Sequence, residues 1–208
     1  MKNITTAMTV TYEVDGALYL NITTACTNRC DFCIRNNGDG AYGSESLWLD
    51  HAPDVDEIKS SLAKRDIRKY KELVFCGYGE PSCRLREARE IALYVKSLYP
   101  EMKIRINTNG QSDLILGCDS SPLYRDAFDA VSISLNAPTE ERYQQICHSV
   151  FGEGVLEAIK LFATRVRKHV SDVKFSVVRQ TLTEDELAEC EKIAKETGVP
   201  LRVRDYIG

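Results

Sequence analysis

Short apolar runs alternate with segments of helical period along most of the chain, and that alternation restricts the fold to a layered α/β arrangement. Leu73 to Phe75, Ile104 to Asn107, Val131 to Leu135, Phe175 to Val178 and Leu201 to Val203 read as short strands. Their near-continuous apolar character suits parallel sheet buried on its faces rather than a half-solvated ribbon. Between them Val55, Ile58 and Leu62 recur at helical spacing. So do Leu85, Ala88, Ile91 and Val95, then Val155, Ile159, Phe162 and Val166, and last Leu187, Cys190 and Ile193. Each set lays one apolar stripe along a helix. Asp54 and Thr183 precede acidic first turns, and Gly198 followed by Pro200 closes the last helix.

Upstream, Val10, Tyr12 and Val14 alternate with polar residues, Asp15-Gly16 suits the positive φ angles of a two-residue hairpin turn, and Leu18, Leu20 and Ile22 resume beyond it. The sum is a hairpin leading into six β units with five helical segments between them, the one between Asn107 and Val131 being short. An open doubly wound sheet and a curved partial barrel both satisfy this pattern. In either, chemistry belongs at the carboxyl ends of the strands.

A chain of 208 residues, 43% hydrophobic, can bury one sizeable core. Its 31 acidic and 27 basic residues are dispersed, with no like-charge block to suggest a nucleic-acid partner. No stretch approaches the roughly 18 apolar residues of a membrane span, and the first residues, Met1 to Thr6, do not resemble a secretory leader, so a cytoplasmic location is expected. In that reducing compartment, eight cysteines speak for metal binding before disulfides.

Three of those cysteines, Cys26, Cys30 and Cys33, fall within eight residues directly after the first core strand. Structural zinc asks for four closed ligands, usually two Cys-x-x-Cys pairs, and only three are local here. Three thiols suit a 4Fe-4S cluster with one iron left open. At the end of the next strand stands Phe75-Cys76-Gly77-Tyr78-Gly79-Glu80-Pro81. Its glycines allow close backbone approach to a ligand, and Glu80 can accept a hydrogen bond from an ammonium group. Taken alone it is an ordinary strand-to-helix turn.

Together the two motifs resemble the signature of the radical S-adenosylmethionine (SAM) superfamily: Cys-x3-Cys-x2-Cys after the first barrel strand and a Gly-Gly-Glu-Pro-like turn after the second, here with Tyr78 set between the glycines. The resemblance implies a partial (β/α)6 TIM-like barrel with an N-terminal β-hairpin. It further implies one domain over residues 1–208, with 1–16 as the hairpin strand and 17–208 as the barrel. By the same likeness Cys26, Cys30 and Cys33 hold three irons and SAM chelates the fourth. Gly77, Tyr78, Gly79 and Glu80 then form a cofactor turn, with Gly79 and Glu80 at the SAM ammonium, and Phe32 lies on the adenine side.

Polar residues at later strand ends extend the expected cofactor contacts. Ser132, Ser134 and Asn136 fall at period two and should share a face; with Asn109 they match the strand that contacts the SAM carboxylate and ribose in the resembled family. Val177 with Arg179, and Arg202 with Arg204, also read as shared faces, and strand-end arginines suit a carboxylate or phosphate of SAM or of substrate. The 35–53 segment, with the sole tryptophan Trp48, is long for a strand-helix connection and reads as a lid or a binding loop. Cys190 belongs to a core stripe, while Cys76 and Cys83 flank the glutamate turn.

The activity implied is reductive cleavage of SAM to a 5'-deoxyadenosyl radical that abstracts hydrogen from an unknown substrate, a small molecule or a peptide or protein. Its electron would come from an external one-electron donor such as flavodoxin or ferredoxin. The stretches Thr11–Gly16, Leu18–Thr23, Cys33-Ile34-Arg35, Leu47-Trp48-Leu49 and Phe75–Pro81 are similar to the TatD-linked radical SAM proteins, which have no established substrate. A glycyl-radical-enzyme activase and a 7-carboxy-7-deazaguanine synthase-like enzyme are the enzymatic alternatives. A non-catalytic iron-sulfur electron-transfer module is the alternative of another class.

Overall fold

A computed structural model describes residues 8–206. The hairpin comes first. Strand β1 (Thr11–Val14) pairs antiparallel with β2 (Ala17–Leu20), and the turn residues Asp15 and Gly16 take φ of 48° and 75°. That combination is the one a tight hairpin turn demands and an Asp-Gly pair tolerates. The part of the expected hairpin segment that falls in residues 1–7, and the Met1–Thr6 stretch, lie outside the described residues.

The chain then alternates as its periodicity requires: α1 (Val55–Ala63), β3 (Leu73–Phe75), α2 (Leu85–Leu98), β4 (Ile104–Thr108), α3 (Ser112–Leu116), β5 (Ala130–Ser134), α4 (Glu140–Cys147), α5 (Val155–Val166), β6 (Asp172–Val178), α6 (Glu184–Thr197) and β7 (Leu201–Arg204). Both expected N-caps are complete capping boxes, Asp54 with Glu57 and Thr183 with Glu186, each satisfying two orphan amides. Gly198 closes α6 at φ 64°, in the left-handed region. Helix α4 is the element that apolar periodicity misses, because its buried residues are only Tyr143, Ile146 and Cys147. Thr139 followed by Glu140-Glu141 was its available sign: the Thr139 side chain accepts from the Arg142 amide.

The seven strands lie in the order of the chain, and every pair from β2 to β7 is parallel. A doubly wound sheet reverses its strand order at a switch point; this one never does. With right-handed crossovers throughout, every helix falls on the same side, and the sheet curls into a partial barrel. The core confirms that asymmetry. Leu18, Leu20, Leu73, Phe75, Ile104, Ile106, Val131, Ile133, Phe175 and Val177 join the helix stripes in one buried cluster. Their strand neighbours Tyr19, Val74, Arg105, Asn107, Ser132, Ser134 and Ser176 point to the inner face.

A second small core lies on that inner face, where Tyr12, Val14 and Tyr78 meet Ala41 and Leu47 of the 35–53 segment. Asn21 fastens the segment further. It is fully buried, donates from Nδ2 to the carbonyls of Leu47 (2.8 Å) and Thr9 (3.1 Å), and accepts from the Tyr78 amide. The segment is therefore a plug packed over the hairpin, not a loose lid. Trp48, edge-on to Tyr78 at 5.2 Å, stays 44% exposed at its rim. Replacing Asn21 by Ala strands a buried carbonyl, so Asn21→Ala should cost about 1–3 kcal/mol in denaturant unfolding. It should also raise protease cleavage within 35–53, and an unchanged cleavage rate would contradict the fastening role.

Candidate functional site

The carboxyl ends of β2, β3 and β4 converge. Strand β2 delivers the chain to Cys26, Cys30 and Cys33, which are half-buried and free of disulfides. Charge on Cys30 bears on both Cys26 and Cys33, so the three thiols are neighbours in space as well as in sequence. Burial, then the Glu80 carboxylate, pushes Cys26 up to about 12. Burial also raises Cys33, and a hydrogen bond with Cys147 together with burial raises Cys30.

Glu80 is 4% exposed. Burial pushes its carboxyl up, and hydrogen bonds pull against that shift. Its Oε1 accepts from the Ser82 amide (2.9 Å) and the Thr108 hydroxyl (2.7 Å), and its Oε2 from the Asn109 amide (2.6 Å). Three donors from two strand ends therefore hold this carboxylate in one orientation.

From Glu80 a continuous network runs into the cysteine loop. Asn109 donates to the Thr27 hydroxyl (2.8 Å), which donates to Gln111 Oε1 (2.6 Å). Gln111 Nε2 donates to Asn28 Oδ1 (2.8 Å) and to the Tyr143 hydroxyl (3.0 Å), and Asn28 donates to the same hydroxyl (2.9 Å). Backbone bonds from Arg29 to Cys147 and from Asp31 to Ile146 seat the loop on the end of α4. Gln111, Asn28, Thr27 and Tyr143 were not singled out by sequence reasoning. A glutamine just after a strand-end Asn-Thr-Asn-Gly run carries no signal of its own, because its partners lie more than 80 residues away in the chain or on the missed helix α4.

The two motif glycines serve the protein itself. A Cβ on Gly77 would meet Asn21 Oδ1 at 2.2 Å, and one on Gly79 would meet the Thr23 carbonyl oxygen at 2.3 Å. They let the turn press against the chain entering the cysteine loop. Tyr78 donates to the Gly38 carbonyl (2.7 Å) and packs in the second small core, so its side chain anchors the plug.

Ser132 and Ser134 face inward together, as period two requires, and their hydroxyls make no hydrogen bond with the described residues. Asn136 departs from that expectation. Strand β5 ends at Ser134, and Asn136, at φ 61°, turns toward α4, donating to Cys147 Sγ while its buried Oδ1 has no partner among the described residues. Val177 also departs. The register pairs Ser134 with Ser176, so Val177 points to the helix side and is fully buried in the main core, leaving Val178 on the inner face. Arg179 does not share its face: the strand has ended, and Arg179 opens a 3-10 turn toward Glu184. Arg204 pairs in register with Val178, on the inner face as expected. Phe32 lines a groove of about 420 Å³ with Ile146, Thr181 and Tyr206 at the lateral opening.

These residues suit the group that their motif implies. Among the described residues no three acidic, histidine or cysteine side chains converge as for a single metal ion. A cluster instead spreads its thiolates over separate irons, and three adjacent half-buried thiols match that need. Beside them stand a fixed carboxylate, two unengaged inner-face hydroxyls and an orphaned amide oxygen, which are the acceptors and donors an amino acid-nucleoside ligand requires. Gln111 is the hub on which the loop depends. Gln111→Ala should destabilise the fold by about 2 kcal/mol through stranded partners and lower the iron content retained after desalting of reconstituted protein. Full iron retention would argue that the loop holds its shape without the hub.

Residues 20–197 match the family model described as the radical SAM superfamily. Among solved structures, Streptococcus suis SuiB bound to S-adenosylmethionine superposes with a TM-score of 0.64 at 15% identity, covering 91% of this chain and 40% of that one. SuiB bound to the precursor peptide SuiA gives 0.65 at 14%, covering 89% and 38%. The structure titled native anSMEcpe with bound AdoMet gives 0.62 at 17%, covering 91% and 50%. The chain thus spans from under two fifths to half of these proteins, and the likeness is one of fold. No curated protein matches it.

Proposed function

The chain belongs to the radical SAM superfamily, and from that premise we propose that it reductively cleaves SAM and uses the resulting radical to abstract hydrogen from an anionic or otherwise polar substrate. The superfamily's 4Fe-4S cluster and SAM, when bound, supply a one-electron cleavage of the sulfonium carbon-sulfur bond. The observation that carries the reading is the buried Glu80 carboxylate joined to the cysteine loop, through its own amide to the Ala25 carbonyl (2.8 Å) and through the hydrogen-bond network that runs from the carboxylate to Thr27 and Gln111.

Each residue has a task in this reading. Cys26, Cys30 and Cys33 bind the irons. Glu80, already oriented by Thr108 and Asn109, would receive an N–H of the SAM amino group as a further donor. Ser132 and Ser134 offer hydroxyls to the carboxylate and ribose, and Asn136 Oδ1 accepts from a ribose hydroxyl. Phe32 supplies an apolar wall on the adenine side. The packed plug over the hairpin helps keep water from the inner face. An external one-electron donor such as flavodoxin or ferredoxin is the proposed redox partner. At the finer level we assign the chain to the TatD-linked group, on the strength of the cysteine loop, the Leu47-Trp48-Leu49 stretch and the Gly-Tyr-Gly-Glu-Pro turn.

Anaerobic reconstitution with iron and sulfide should yield cluster absorption, and reduction with SAM present should release 5'-deoxyadenosine. Neither appearing would overturn the reading. Glu80→Gln keeps the volume and one acceptor oxygen while removing the charge. A charge-assisted hydrogen bond is worth about 1.5–3 kcal/mol, so SAM affinity, read from the change in the reduced cluster's electron paramagnetic resonance, should fall roughly tenfold to a hundredfold. Unaltered SAM affinity would instead favour a non-catalytic electron-transfer module.

A further inference from the structure

The inner face of the sheet carries an uneven set of charges. On β4, Arg105 is held by Glu72 through two hydrogen bonds, Nε to Oε2 (3.1 Å) and Nη2 to Oε1 (2.8 Å), and also donates to Asn107. On β6, Lys174 pairs with Asp172 at 2.8 Å. On β7, Arg202 and Arg204 make no hydrogen bond and no ion pair with the described residues. The register sets Arg202 beside Ser176 and Arg204 beside Val178, and Ser176 stands beside Ser134. Both arginines therefore belong to the face that bears the serines, and two residues of strand separate them by roughly 6.6 Å.

Arg204 is half-buried, and its charge acts on Cys33 of the cysteine loop, on Cys76 at the end of β3, and on Tyr42 of the plug. Its register beside Val178 puts it on the inner face of the sheet. Tyr42 is 46% exposed, and its ring packs at a tilt against Tyr19 (centroids 6.5 Å apart), which packs likewise against Tyr12 (5.3 Å). A half-buried guanidinium with five donors and no acceptor among the described residues gives up hydration without return unless a ligand supplies the oxygens. By sequence the arginines are open to SAM or to substrate, and the expected contacts to the SAM ammonium, carboxylate and ribose fall on the ends of β3 to β5 without them. The arginines lie on the last strand, at the edge of the sheet.

We propose that Arg204, assisted by Arg202, forms an anion site that binds the phosphate or carboxylate group of the substrate beside the cysteine loop, with the phenol rings of Tyr42 and Tyr19 as its wall. The assignment of this anion to the substrate rests on the radical SAM reading; the existence of the site does not. Positive charge there selects anionic molecules and steers them toward the mouth. Arg202 adds charge at the exposed rim, and Arg204 makes the directed contact.

Inorganic phosphate and acetate are the probes, titrated calorimetrically into the reconstituted holoprotein at ionic strength held constant with chloride. Saturable binding is expected, with phosphate favoured if the substrate is a phosphate ester and acetate favoured if it is a carboxylate. Arg204→Gln should weaken the preferred anion at least tenfold. Arg204→Lys, which keeps the charge but loses the fork, should recover part of it, and cluster absorption reports that each variant is folded. Equal anion affinity in wild type and Arg204→Gln would overturn the site. SAM affinity measured on the same variants separates the two users of an anion site: if it falls in parallel with phosphate or acetate affinity, Arg204 serves the SAM carboxylate and the substrate assignment fails. If anion binding depends on Arg204 while no preparation cleaves SAM, the site stands and it is the radical reading that fails.

Discussion

Glu80 carries a carboxylate into a space nearly closed to water, and the cost of doing so governs what surrounds it. A buried carboxylate must find donors or give up its charge. The donors come from the turn that bears it and from the end of β4, so the two strand ends are locked in register by the same bonds that satisfy the charge. Asn109 then passes the constraint to Thr27, Gln111 and Asn28, and the cysteine loop inherits a position that its own sequence does not specify. Partly satisfied networks of this kind are unstable, whereas complete ones specify a single arrangement.

The winding of the sheet makes this convergence possible. Because β2 to β7 follow chain order and all helices lie on one side, the loops after successive strands gather around one rim. The inner face is then spared the task of packing against helices, and it can carry Asn107, Ser132, Ser134, Ser176 and the three arginines Arg105, Arg202 and Arg204, which a two-sided sheet would exclude. Part of the inner face is filled nonetheless. The 35–53 plug covers the hairpin strands and leaves the β4 to β7 side open, which divides the interior into a packed half and a polar half.

Departures from the sequence reading share one cause. Period two was carried past the ends of strands: Asn136 and Arg179 lie one turn beyond the residues that obey it, and Val177 occupies the face opposite to the one assigned by pairing it with Arg179. The glycines of the glutamate turn were legible as close-approach positions, and the structure shows the chain's own Asn21 and Thr23 pressed against them. Tyr78 sat inside a recognisable motif, yet its side chain belongs to the plug. A motif constrains its backbone strongly and its inserted side chains hardly at all.

Local pattern alone determined the hairpin turn, the capped helices, the strand positions and the grouping of three thiols, because each depends on residues close together in the chain and on fixed periods of 2 and 3.6. Choosing a barrel over a doubly wound sheet required either the family resemblance or the observed strand order, since local periodicity is the same in both. Gln111 as hub, α4 as the seat of the cysteine loop, and Arg204, without an acceptor among the described residues and with its charge bearing on Cys33 and Cys76, were decided only by the tertiary structure. Those features consist of contacts between distant segments, and a hydrogen bond or an unneutralised charge is defined by what stands opposite, which no single stretch of sequence contains.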